Sequence, residues 1–83
     1  MVSLEDIRQI VGDVLQLGSR ANELAADTPL MGGIPEFDSM AVISVLTAIE
    51  ERYDIFVDDD EITAEVFESL GTLKDFVELK LRA

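Results

Sequence analysis

From Val42 to Tyr53 the apolar residues keep one spacing. Val42, Val45, Leu46, Ile49 and Tyr53 stand at i, i+3, i+4, i+7 and i+11. One face of an α-helix presents such a stripe, and a β-strand, whose side chains alternate with a period of two, does not. Asp38 or Ser39 is placed to cap this run, so the pattern predicts a helix over residues 39–53. Met40, Ile43, Ser44, Thr47 and Glu51 fall on its opposite side. The helix therefore has a core face and a second, partly apolar face, and Met40 and Ile43 need a cover or a partner.

Helical spacing recurs at both ends of the chain. Leu4, Ile7, Ile10, Val11, Val14 and Leu15 predict a helix over residues 3–17. Ser3 is its N-cap, Asp6 completes a capping box, and Gly18 is placed to end it. Leu73, Phe76, Val77, Lys80 and Leu81 predict a closing helix that starts at Thr72, with Lys80 and Arg82 suited to its C-terminal end. Before it, Thr63 is placed to cap a short helix over Ala64–Glu68 with Ile62, Val66 and Phe67 turned inward, and Gly71 breaks the pattern. Residues 19–38 contain Pro29, Gly32, Gly33 and Pro35 and lose the period. A connection of about twenty residues is long for a small domain and points to a functional or well-packed loop. Leu30, Met31, Ile34 and Phe37 are expected to fold back from it onto the core. There is no strand-like alternation and no repeat. The expected fold is all-α: a small bundle of three main helices plus one short helix, with a long loop between the first and second helices.

Composition narrows the chemistry. A chain of 83 residues has room for one domain and one modest core. It is 48% apolar, too much for a disordered acidic tail. Eighteen acids against six bases give a net charge of −12, which disfavours nucleic-acid phosphates and anionic membrane surfaces alike. The longest apolar run without a charge, Met40 to Ile49, is far short of the ~20 residues that span a bilayer. The opening MVSLEDIRQI has acids where a signal peptide has bases. A soluble, cytoplasmic, monomeric domain is expected. With no histidine and no cysteine, the chain has no imidazole base, no Ser-His or Cys-His pair, no disulfide, and no metal ligation beyond carboxylate-only sites.

The residues that bear on function are Phe37-Asp38-Ser39-Met40. A serine follows a Gly/Pro loop at the first turn of a helix, where the hydroxyl is exposed and the helix terminus favours an anion such as a phosphodiester. Asp38 either caps the helix or helps to hold a divalent cation during phosphoryl transfer. The chain has no base to activate Ser39, so another enzyme must do any chemistry there. Read alone, the Asp-Ser pair is only an N-cap.

The pair comes, however, with a long first loop, a two-faced second helix, an acidic stretch and a short third helix. In that combination GGIPEFDSMAVISVLTAIEERYDI resembles the acyl carrier protein family, with its Asp-Ser-Leu motif and an apolar helix closed by acid-acid-x-aromatic-Asp, here Glu50, Glu51, Arg52, Tyr53 and Asp54. ITAEVFESLGTLKDFVELK is similar to the family's short third helix and closing helix, so the resemblance covers residues 1–83 as one acyl-carrier-like domain. It implies that Ser39 is the attachment point of 4′-phosphopantetheine and Asp38 the motif acid. It implies a phosphopantetheinyl transferase that takes the group from coenzyme A with Mg²⁺, and acyl-loading, condensing or transferase enzymes as further partners. The protein would be a carrier and not an enzyme, and its only thiol would come from the cofactor, bearing the acyl group as a thioester.

Two departures refine the expectation. Met40 stands where the family has Leu, a volume-conserving change. Carriers of fatty acid synthesis place acids at the positions of Ala41 and Ser44, and Arg52 replaces the third acid of the usual triplet. A specialised pathway (polyketide, aminoacyl or lipid-modifying) is therefore expected over a housekeeping one. The Gly-Gly pair is similar to that of peptidyl carriers, which leaves an aminoacyl cargo as an alternative. Met40 and Ile43 form the expected docking patch, with Glu36, Glu50, Glu51 and Asp54 around it, unless they pack under the long loop. An unmodified acidic docking module would use the same face.

From Glu50 to Glu65 there are eight acids and one base. Asp58-Asp59-Asp60-Glu61 lacks the alternation and central glycine of a calcium loop, so no metal site is expected. Val11, Val42, Leu46, Ile49, Phe67 and Phe76 are candidates to line a space between the helices, with a packed core the expected arrangement.

Overall fold

The structure, a computed structural model, describes residues 2–82, except for the side chain of Asp59. Among the described residues there are three α-helices: α1, Leu4–Val14; α2, Ser39–Tyr53; and α3, Leu70–Arg82. A 3-10 helix over Gly18–Glu23 lies in the long first loop, and a single 3-10 turn, Asp59–Glu61, in the second. Both α2 and α3 pack against α1, so the apolar stripes of all three meet in one core. Ile7, Val11, Val45, Ile49, Leu73 and Val77 are fully buried there, each worth about 1.5–3 kcal/mol in transfer from water. On α2 the buried line is Ala41, Val45, Leu46 and Ile49, while Val42 and Tyr53 are half-buried at its edges.

Ser3 and Asp6 close the expected capping box on α1. The helix ends earlier than predicted, at Val14. Its stop is Gln16 in the left-handed region (φ 55°), with the Leu17 amide donating to the Gly12 carbonyl at 2.9 Å, which is the Schellman pattern. Asp54 (φ 54°) closes α2 in the same way.

The long loop is held by backbone bonds to the second loop. The Leu30 amide donates to the Glu68 carbonyl, Leu70 to Thr28 and Gly71 to Ala26, and Pro29 bridges Ser69. Leu30, Ile34 and Phe37 are buried as expected, but Met31 is 49% exposed: it follows the bridging segment on its solvent side.

The short element also differs from expectation. Residues 64–68 make two successive turns, Val66 to Thr63 and Glu68 to Glu65, and not a regular helix. Phe67 alone is buried deeply there. Ser69 and Thr72 exchange side-chain-to-amide bonds, so α3 starts at Leu70, two residues before Thr72, and Gly71 lies inside its first turn. A Cβ on Gly71 would stand 2.9 Å from the Ala26 carbonyl oxygen. That glycine permits close backbone approach and does not end an element.

Among the six candidates for a space between the helices, Val11, Leu46, Ile49 and Phe67 are buried, and Val42 and Phe76 border the surface. No helix among the described residues is long and apolar enough to cross a membrane.

Candidate functional site

Asp38 leaves the loop in an extended conformation, and its Oδ1 accepts a hydrogen bond from the Ala41 amide at 2.9 Å. Asp38 and not Ser39 is therefore the cap, and Ser39 is the first helical residue. The cap satisfies one of the orphan donors at this end of α2. The Ser39 and Met40 amides have no helical partner by position, so this end of the helix favours a negatively charged oxygen. Ser39 is exposed, and no hydrogen bond engages its hydroxyl among the described residues.

The approach to Asp38 is held from two sides. The Phe37 ring is buried with its centroid 5.8 Å from that of Phe67, which anchors the loop to the second connection. Glu36 accepts hydrogen bonds from both terminal guanidinium nitrogens of Arg20, one at 2.8 Å. Hydrogen bonding from Arg20 holds the Glu36 carboxyl below its usual range, and the same bond raises the Arg20 guanidinium. Glu36, expected as a free acid of the docking rim, is thus a neutralised partner in a clamp on the loop. No sequence signal pointed to this pair, because its members lie sixteen residues apart with no periodic element between them.

Met40 and Ile43 are 70% and 59% exposed, so neither packs under the loop. Ile43 borders an open groove of about 140 Å³ shared with Leu46, Thr47, Glu50, Val57 and Ile62. The other expected rim acids divide. Glu51 is exposed. The Glu50 carboxylate accepts the Val57 amide at 2.8 Å and so orders the turn after α2. Asp54 is exposed but has the backbone task of ending the helix. Arg52 lies 3.9 Å from Asp6 and links the end of α2 to the start of α1. There is no acid in the first turn of α2.

In the acidic run Glu61 accepts the Asp58 amide and pairs with Lys80 at 2.8 Å. The side chain of Asp59 lies outside the described residues, and among those described no three carboxylates converge on a point that could hold a metal ion.

Comparison with known proteins bears on this geometry. A family model described as the phosphopantetheine attachment site matches residues 5–79. Over 78 residues, 94% of its length, the chain is 30% identical to an acyl carrier protein from Sulfurovum sp. (strain NBC37-1), covering 97% of that relative. It also matches the solution structure of a holo acyl carrier protein from Nitrosomonas europaea, with 57% identity, a TM-score of 0.90 and full coverage of both chains.

Proposed function

This chain belongs to the acyl carrier proteins, which bear a covalently bound phosphopantetheine prosthetic group, and on that premise we propose that Ser39 is the attachment residue. The observation that carries the proposal is an exposed, unengaged hydroxyl at the first residue of a capped helix, preceded by a clamped loop. Asp38 fixes the helix start and so makes Ser39 the first residue of α2. The adjacent carboxylate, Asp38, is engaged in capping the helix, and the chain has no histidine, so in this reading the base that takes the Ser39 proton belongs to the transferase. When bound, the group supplies a thiol that carries an acyl chain as a thioester. The protein itself acts as a carrier between acyl-handling enzymes, and the exposed Met40 and Ile43 are the apolar centre those enzymes contact.

The pathway we infer is a specialised one. Support comes from the acid-free first turn of α2, from the engagement of Glu36 and Glu50 in internal bonds, and from Arg52 at a position where carriers of fatty acid synthesis have an acid. An enzyme that docks by basic residues near the serine finds little to pair with here.

Incubation with coenzyme A, Mg²⁺ and a broad-specificity phosphopantetheinyl transferase, followed by intact mass, tests the attachment. The expected result is a gain of one phosphopantetheinyl group that Ser39→Ala does not show. An equal gain in Ser39→Ala would move the site elsewhere. For the pathway, the loaded protein offered to the condensing enzymes of a housekeeping fatty acid synthase should elongate poorly; efficient elongation would overturn that part.

A further inference from the structure

A second apolar groove lies away from Ser39, between the turns at residues 63–68 and α3. It is open, has a volume of about 500 Å³, and no residue of α2 lines it. Its floor is Val66, Phe76 and Leu79. Leu79 is 64% exposed, although α3 has a full core face in Leu73 and Val77 and gains nothing internally from a leucine on this side. Its rim is Glu65, Glu68 and Asp75. Lys74 lies 3.8 Å from Asp75, while Glu65 and Glu68 have no cation within 4 Å among the described residues. An apolar strip bordered by unpaired acids is the complement of a cationic amphipathic surface. Charge also excludes the other occupants. A second copy would bring a net −12 against a net −12, and an anionic bilayer is repelled by the same rim.

We propose that this groove is a second docking site, taking a short basic amphipathic helix of a partner protein whose leucine-like side chains lie over Phe76 and Leu79 and whose Lys or Arg residues meet Glu65 and Glu68. Thr72 to Leu79 spans two helical turns, about 10 Å, which suits apolar anchors at i, i+3 or i+4, and i+7. A partner held here leaves Ser39, Met40 and Ile43 free for a second enzyme. The site is independent of the attached group.

The test is an NMR titration of the ¹⁵N-labelled protein with a synthetic Leu/Lys amphipathic helical peptide and with a leucine-free peptide of equal charge. Shifts from the Leu/Lys peptide are expected at Thr63, Val66, Thr72 and Leu79. Affinity should fall by roughly tenfold or more in Leu79→Gln and in the double variant Glu65→Lys/Glu68→Lys. It should hold in Met40→Gln/Ile43→Gln, and in Ser39→Ala, which separates this result from the fate of the attachment proposal. Shifts confined to α2, an equal response to the leucine-free peptide, or unchanged affinity in Leu79→Gln would each overturn it. All the altered side chains are at least half-exposed or on the groove rim, so the variants are expected to fold.

Discussion

Asp38 has one role the structure shows and a second that we propose. Its carboxylate caps α2 through the Ala41 amide, and it lies beside Ser39, the proposed attachment residue. Asp38→Ala removes both and should cost about 1 kcal/mol, typical of a lost N-cap, or a fall of about 4–8 °C in Tm for a domain of this size. Asp38→Asn keeps an equally good cap and drops only the charge. Its melting curve should return to near that of the parent protein. If the charge helps to place a cation during transfer, its rate of mass gain with the transferase should stay low. Equal transfer rates in the parent and in Asp38→Asn would reduce Asp38 to a cap. At this scale the helix start was legible in sequence because its signal is local: a short polar pair before an apolar run reads as a cap. The Arg20–Glu36 clamp was not, because a tertiary ion pair across an irregular loop leaves no period and no motif. Glu36 and Glu50 were expected at the docking rim for the same reason, since an acid in sequence looks the same whether it faces solvent or accepts a bond within the fold.

The three α-helices were legible as elements because their apolar residues recur at helical spacing and their caps are polar residues of the expected kind. The segment between α2 and α3 was not. Its inward residues are few, and its geometry is set by pairing with the first loop, a contact across forty residues of sequence that no local pattern encodes. Gly71 shows the consequence. Read locally, it breaks a helix; in the structure it lies in one, and its amide donates to Ala26 at 2.8 Å. Helix propensity alone predicts that Gly71→Ala stabilises by up to about 1 kcal/mol. The new Cβ would stand 2.9 Å from the Ala26 oxygen, and overpacking of this kind costs about 1–3 kcal/mol. The backbone is the obstacle and cannot rotate away as a side chain can, so the clash should win, and urea unfolding should show a less stable variant. A more stable one would mean that the two loops are not tightly joined. The second link between these elements is ionic. Lys80 of α3 holds the Glu61 carboxyl below its usual range by hydrogen bonding, aided by the Asp58 amide. A lowered carboxylate contributes stability above its unfolded pKa and loses it as pH falls through the folded one. Parent and Glu61→Gln should therefore differ near neutral pH and converge in acid, below the depressed Glu61 value. A stability gap that persists unchanged into strong acid would show that the carboxylate's charge is not what the link depends on.

For the whole molecule the question is whether its ion pairs or its like charges set the response to salt. Glu61–Lys80 and Lys74–Glu78 both lie at the surface, where such pairs are worth about 0–1 kcal/mol. Against them, eighteen acids share six bases on a body of 32 × 24 × 21 Å. At low ionic strength the Debye length, ~30 Å at 0.01 M, spans that whole body, whereas at 0.1 M it contracts to ~10 Å. Salt therefore weakens a few attractions slightly and most repulsions at once. The repulsions are concentrated from Glu50 to Glu65, where Glu51, Asp54 and Asp60 have no cation within 4 Å among the described residues. Raising sodium chloride from about 0.01 to 0.15 M should raise Tm by several degrees, a gain on the order of 1 kcal/mol. Magnesium chloride at matched ionic strength should give the same rise, because no three described carboxylates converge on a point that could hold the ion. A clear excess for magnesium would reveal a specific divalent site, and a falling Tm would show that the ion pairs outweigh the net charge.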